Sequence, residues 1–258
     1  MTSYVIGQLS DPNIHVLTKY FDGFIDLASD MHWDLQSNKL YVDGMWIKNI
    51  SSAFIRSNVF EEQTNQKYAN YYLLKNYIEV NKDIKFYNRG CKRETPYKLY
   101  DLMVAKRVGL NVPHTEATKY ATKKNETIIK PITGGAHAVI GKEATYSGII
   151  QQRIVGQNKR LYIINNIPFC FEVVSSMIDY REDNNTYVKL SDIPQDQIDK
   201  VKELTKQLNL NFSATDFMVD KNKKHWYLET NTLPMFAAFD LKVNGMLAKT
   251  IAEELEKI

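Results

Sequence analysis

The chain has 258 residues, 44% hydrophobic and 24% charged, with a formal net charge of +3; it is long enough for one large domain or two to three smaller lobes, and too weakly charged for a nucleic-acid footprint. Its two cysteines, Cys91 and Cys170, lie far apart, which argues against a disulfide framework and against zinc-ligand spacing. No apolar run approaches the roughly 20 residues that span a membrane, and the opening Met1–Asp11 has no charged region followed by an apolar one, so no secretory signal, no membrane partner and a reducing, cytoplasmic setting are expected.

Along the chain, the first ninety residues or so mix short strands, such as Met45–Ile47 and Ala53–Arg56, with one helix over residues 61–80. Tyr68, Tyr71, Tyr72, Lys75 and Ile78 recur there at three- and four-residue steps and predict its packed face. A basic, glycine-containing loop (Asn88–Pro96) leads into a second helix. Leu99, Leu102, Met103 and Val108 predict its apolar side, Gly109 suits the C′ position, and Pro113 bars continuation. Residues 126–152 hold two strands around a glycine loop. Lys159–Ser176 reads as a hairpin whose Asn165-Asn166 turn tolerates positive φ. Asp192–Leu210 predicts a helix with Ile198, Val201, Leu204 and Leu208 on one side. A hairpin over 215–231 and a helix over roughly 242–257 close the chain. Without strict βα alternation, the pattern predicts α+β lobes rather than a doubly wound sheet.

The last hairpin carries the first chemical signal. With a four-residue turn at Lys221–Lys224, Asp220 pairs with His225, Met218 with Tyr227 and Asp216 with Glu229. Strand alternation puts Asp216, Met218 and Asp220 on one face, and Tyr227, Glu229 and Asn231 on one face of the return strand. Asp216 and Glu229 would then have Cβ atoms about 4.5–5.5 Å apart, an unfavourable arrangement for like charges. A divalent cation reverses that sign, and two carboxylates with an amide oxygen are hard ligands suited to Mg²⁺ shared with substrate phosphates. An exposed acidic face would explain the pair by itself.

Upstream, Lys130 leaves an apolar strand just before Pro131 and the glycines Gly134-Gly135. A lysine there can hold phosphate oxygens as a point charge, and the loop can close its backbone N–H groups over them. Neither the P-loop nor G-x-G-x-x-G is present. Of the five histidines only His137, in this loop, is near the expected chemistry. The segment "IIQQRIVG" ends in polar side chains and suits a connection between lobes. No nucleophile elbow or Ser/His/Asp set is found.

In this order the pieces resemble the ATP-grasp ligases, and most closely the branch of ribosomal-protein glutamate ligases, glutathione synthetase-like enzymes and graspetide (microviridin-type) macrocyclases. The resemblance rests on "YKLYDLMVAKRVGLNVPHTEAT", "IIKPITGG", "IIQQRIVGQNKRLYII", "SSMIDYR" and "ATDFMVD" followed by "WYLETNTLPMF", spread over residues 93–258. It implies an α+β ATP-grasp fold: a pre-ATP-grasp α/β lobe over 1–92, a central lid lobe over 93–153, and a C-terminal lobe with the metal site over 154–258. It further implies that Asp216, Glu229 and Asn231 bind Mg²⁺, or Mn²⁺ in its place, with Glu229 bridging two ions. Lys98 and Lys130 would contact ATP phosphates, and Gln152, Arg153 and Ile154 would meet adenine. Arg160 and Arg181 would serve the reacting centre. Two departures stand out: Ala214 occupies a position where many such enzymes have arginine, and Asn158 replaces an aspartate.

The implied reaction is ATP-dependent ligation of a carboxylate to an amine or hydroxyl through an acylphosphate. The substrate is expected to bear a carboxylate, as a peptide or amino acid does, and a homodimer is left open. A small-molecule kinase or a non-catalytic nucleotide-binding module are the alternatives.

Overall fold

The computed structural model describes residues 2–58, 64–91, 98–118, 127–132, 139–140, 148–175 and 186–258. These form two compact units, one of Met1–Gly90 with Met235–Ile258 and one of Cys91–Pro234. Asparagine punctuates both. Seven of the nine described non-glycine residues at positive φ are asparagines, the residue whose short amide side chain best tolerates that region.

In the first unit, β1 (Thr2–Gly7), β2 (Gly23–Asp26), β6 (Ile50–Ile55) and β7 (Lys85–Phe86) form a parallel sheet in the order β2-β1-β6-β7. Between β2 and β6, the strands β3 (Met31–Asp34), β4 (Lys39–Val42) and β5 (Met45–Trp46) make an antiparallel meander, its last turn set by positive φ at Asp43 and Gly44. Helix α1 (Pro12–Leu17) is capped by Asp11, whose carboxylate also holds the buried Arg56 at 2.8 Å. Asn13 Oδ1 accepts the N–H groups of Phe236 and Ala237, tying the C-terminal residues into this unit.

Helix α2 (Asn65–Val80), capped by Thr64, corrects the expected face. Ile78 is buried and Tyr71 packs on the core as expected, but the other buried residues are Asn70, Leu74 and Tyr77, and Tyr68 is exposed with its ring against Tyr72. A polar residue on the core side hid the period: the Asn70 amide donates to the carbonyls of Leu27 and Ser29, which makes its burial tolerable. The expected C-terminal helix starts later, at Met246. Asn244 and Gly245 both take positive φ and interrupt the segment before it.

In the second unit, α3 (Lys98–Arg107) buries Leu102 as expected, together with Asp101, Val104 and Ala105, and Val108 packs at the core margin, but Met103 is exposed, contrary to expectation. It ends as expected at Gly109 (φ +84°), in a Schellman motif in which Leu110 N–H donates to Ala105 O and Gly109 N–H to Lys106 O. The strands β8 (Thr115–Thr118), β9 (Thr127–Pro131), β10 (Val139–Ile140) and β11 (Gly148–Gln152) form one antiparallel sheet in the order β10-β9-β11-β8. A second sheet has the order β14-β13-β12-β15-β16, from β12 (Gly156–Ile164), β13 (Ile167–Val174), β14 (Tyr187–Leu190), β15 (Phe212–Asp220) and β16 (His225–Asn231). The β12–β13 turn has both Asn165 and Asn166 at positive φ, as expected. Helix α4 (Gln195–Gln207) lays Val201 and Leu204 on one face of this sheet, against Leu161, Ile163, Phe217 and Tyr227. Leu208 is buried there too, and Ile198 packs at the margin. Among the described residues no helix is long and apolar enough to cross a membrane.

Gly156 begins β12 opposite Asp220, and a Cβ there would lie 1.9 Å from the Val219 carbonyl oxygen. Only glycine fits that approach. Gly156→Ala is therefore expected to lower unfolding stability by about 1–3 kcal/mol, the usual cost of overpacking. Equilibrium urea unfolding of the two proteins measures it.

Candidate functional site

The five-stranded sheet has two unlike faces. One is the helix-packed core. On the other, a single cross-strand row runs Phe171–Arg160–Asp216–Glu229 over β13, β12, β15 and β16. Asp216 and Glu229 are thus direct partners, as the hairpin register predicted. The rest of the predicted register is not found. Met218 pairs with Trp226 rather than Tyr227, and Val219 rather than Asp220 pairs with His225. The ladder shifts between Asp216 and Phe217, leaving Leu228 as the extra residue of a β-bulge.

That bulge changes the face of Tyr227. The residue does not share a side with Glu229: it faces Phe217, ring centroids 6.3 Å apart and edge-on, fully buried in the helix-packed core. The turn itself is built by Asp220, whose carboxylate accepts the N–H groups of Asn222 and Lys224 and the Trp226 indole N–H. Trp226 foremost among them holds that carboxyl below its usual range.

Charge in the row is already partly balanced. Arg160 binds Asp216 through two parallel bonds, Nε to Oδ1 and Nη2 to Oδ2, each 2.7 Å, with both residues buried. Such fork-to-fork pairs are the strongest ion pairs proteins build. Asn231 Nδ2 donates to Asp216 Oδ2 at 3.3 Å, which leaves its own amide oxygen available. Among the described residues no three His, Cys, Asp or Glu side chains converge on a cation position. Two carboxylates and an amide are a partial ligand set, of the kind that Mg²⁺ completes with phosphate and water.

Lys130 joins this group from the other sheet, where it pairs with Ile149. Removal from water holds its ammonium below the usual lysine range, Glu229 and Asp216 pull it back up, and Lys98 pushes it further down. Lys98, Asp216 and Glu229 therefore all act on Lys130, from α3, β15 and β16, with Lys98 at the first residue of α3. Gln152 ends β11, its N–H donated to His114 O, and Arg153–Val155 connect that sheet to the five-stranded one. Arg153 is exposed and Ile154 half-buried in this connection. Gly134, Gly135, His137 and Arg181 lie outside the described residues.

One more group faces the same side. Asn158 stands one pair along the row from Arg160, opposite Met218, and its Oδ1 is buried with no hydrogen-bond donor among the described residues. The sequence shows this position only as a replaced aspartate. The bulge at Leu228 gave no motif at all; its trace is the run Trp226-Tyr227-Leu228, too apolar for one alternating strand.

No protein-family model and no curated protein matches the chain. Solved structures do. The ATP-grasp ligase PsnB complexed with a minimal precursor is 16% identical, with 100% of this chain and 99% of that one covered and a TM-score of 0.79. Its complex with a phosphomimetic precursor variant, Mg and ADP gives 17% identity, 98% of each chain and 0.77. The macrocyclase MdnC from Microcystis aeruginosa MRC, bound with precursor peptide MdnA, gives 17% identity, complete coverage of both chains (100%) and 0.74. A D-alanine–D-alanine ligase from Bacillus anthracis complexed with ATP gives 14%, 99% and 95% coverage, and 0.63. The chain has the ATP-grasp fold.

The lowered Lys130 fixes a pH dependence. Between its folded titration and the ordinary lysine range the unfolded chain binds the additional proton, so stability rises with pH in that window. Lys130→Met is expected to be more stable than the parent at pH 7, with the difference shrinking as pH approaches about 10.4. Urea midpoints of both proteins across that range measure it.

Proposed function

We propose that the chain is an ADP-forming ligase that joins a carboxylate to an amine or a hydroxyl on a peptide substrate. The observation that carries this is the opposed Asp216–Glu229 pair with Asn231 beside it, inside the electrostatic reach of Lys130 and Lys98. Two carboxylates facing each other are unfavourable alone. A desolvated lysine is unfavourable alone. A metal-bound polyphosphate relieves both at once. PsnB structures contain Mg, ADP and precursor, and that of MdnC contains a precursor peptide.

In this reading Asp216, Glu229 and the Asn231 amide oxygen hold Mg²⁺, with Glu229 shared between two ions. Asp216 Oδ1 keeps a lone pair beyond the one Arg160 uses. Lys98 and Lys130 hold ATP phosphate oxygens, and the Gly134-Gly135 backbone closes over them. Gln152–Ile154 border adenine, and the buried Asn158 acceptor suits a ribose hydroxyl. Mg²⁺, when bound, supplies neutralising charge on the phosphates. The chain's own residues position and neutralise rather than attack. The substrate carboxylate takes the γ-phosphoryl group and releases ADP. The amine or hydroxyl then displaces phosphate from the acyl carbon and loses its proton. In this reading Arg181 serves that reacting centre and Arg160 keeps Asp216 oriented.

Incubation with ATP, Mg²⁺ and a precursor-type acidic peptide is expected to give ADP and a product lighter by one water. Glu229→Gln is expected to lower the rate by about 10²–10³, the size of a lost electrostatic contact to a transition state. Equal ADP release by Glu229→Gln and parent would sink the assignment. A stable phosphorylated product without amide or ester would make the protein a kinase.

A further inference from the structure

We infer that Asn111 is a positioning residue for the metal site, holding the register change in β16 that sets Tyr227 and Glu229 on opposite faces. The Schellman end of α3 delivers Asn111 to the outer edge of β16, where it forms a parallel bridge with Trp226. Its carbonyl accepts Tyr227 N–H at 2.8 Å, and its side-chain amide donates to His225 O at 3.0 Å. Both outward-facing groups of the turn end are thereby taken.

The site end of the strand is held separately. Asn231 bonds Asp216, and Tyr227 Oη donates to Thr230 Oγ1, itself 3.1 Å from Thr215 Oγ1. The two ends are out of step by one residue, and Leu228 absorbs the difference. Releasing the turn end lets the ladder run straight in its other register, which pairs Met218 with Tyr227. The Tyr227 ring would then turn from the core onto the face that holds Glu229, because a one-residue slip reverses a strand's faces. Asn111 touches neither carboxylate; it acts through β16.

The inference rests on the metal reading above, and the test separates the two. Asn111→Asp is isosteric and puts an acceptor against the His225 carbonyl. It is expected to raise the Mg²⁺ concentration for half-maximal ATP turnover about three- to tenfold, the range of one oriented hydrogen bond, with little change in rate at saturating Mg²⁺. Deleting Leu228 in that background is expected to restore the parent's requirement, since the shortened strand satisfies both ends without a bulge. A residue of merely structural weight would not be rescued by a deletion. An unchanged Mg²⁺ requirement in Asn111→Asp, or no rescue by the deletion, overturns the inference. If Glu229→Gln leaves the Mg²⁺ requirement unmoved, the metal reading fails instead. Hydrogen exchange at the Tyr227 and Leu228 amides then decides alone: faster exchange in Asn111→Asp supports the inference, unchanged exchange overturns it.

Discussion

One strand has to satisfy two incompatible demands, and the bulge at Leu228 resolves them. Tyr227 belongs in the core, where it meets Phe217 edge-on, and Glu229 belongs on the other face, opposite Asp216. Two residues separated by one share a face in any regular strand. A straight ladder would therefore either bury Glu229 against α3 and α4 or expose the Tyr227 ring. Burying an unpaired carboxylate costs several kcal/mol or forces it to take a proton, and withdrawing a large ring from the core forfeits about 1.5–3 kcal/mol. One unpaired residue in an edge strand is a small concession beside either.

The electrostatics of the row follow from that placement. Asp216 has a strand on each side and is buried; Arg160 on β12 holds both of its oxygens. Glu229 lies on the edge strand and is half-buried. Lys130, from a different sheet, is held below the usual lysine range by loss of water and by Lys98, which Glu229 and Asp216 only partly offset. The group is left unbalanced, with Glu229 facing Asp216 and a lysine short of solvent. Groups perturbed in this way concentrate at functional sites.

What the sequence disclosed depended on whether the relevant physics is local. Gly109 and the Asn165-Asn166 pair were readable because positive φ is a property of one residue and its side chain. The α4 face was readable because its apolar residues keep the helical period without interruption. The α2 face was not, since Asn70 sits in the core on the strength of two carbonyls some forty residues upstream. The Asp216–Glu229 pair was reached by counting back through a four-residue turn. That count was wrong at Asp220 and Met218, and the bulge restored the alignment at the site itself. Asn111 was invisible for a similar reason: its bonds to His225 and Tyr227 span more than a hundred residues.

The edge position of β16 also divides labour within the carboxylate pair. A ligand in a sheet interior is fixed by neighbours on both sides but offers little room to a large substrate. A ligand on the edge strand has open space but weaker support, and exposed edges are prone to fray or pair elsewhere. Here the interior carboxylate, Asp216, takes its orientation from Arg160. The edge carboxylate, Glu229, takes its orientation from a strand whose free side is partly closed by Asn111. The pair therefore combines one oxygen set that is held in advance with one left open at the sheet edge. Under the proposed function, that asymmetry suits a cation carried in by a substrate rather than a resident one.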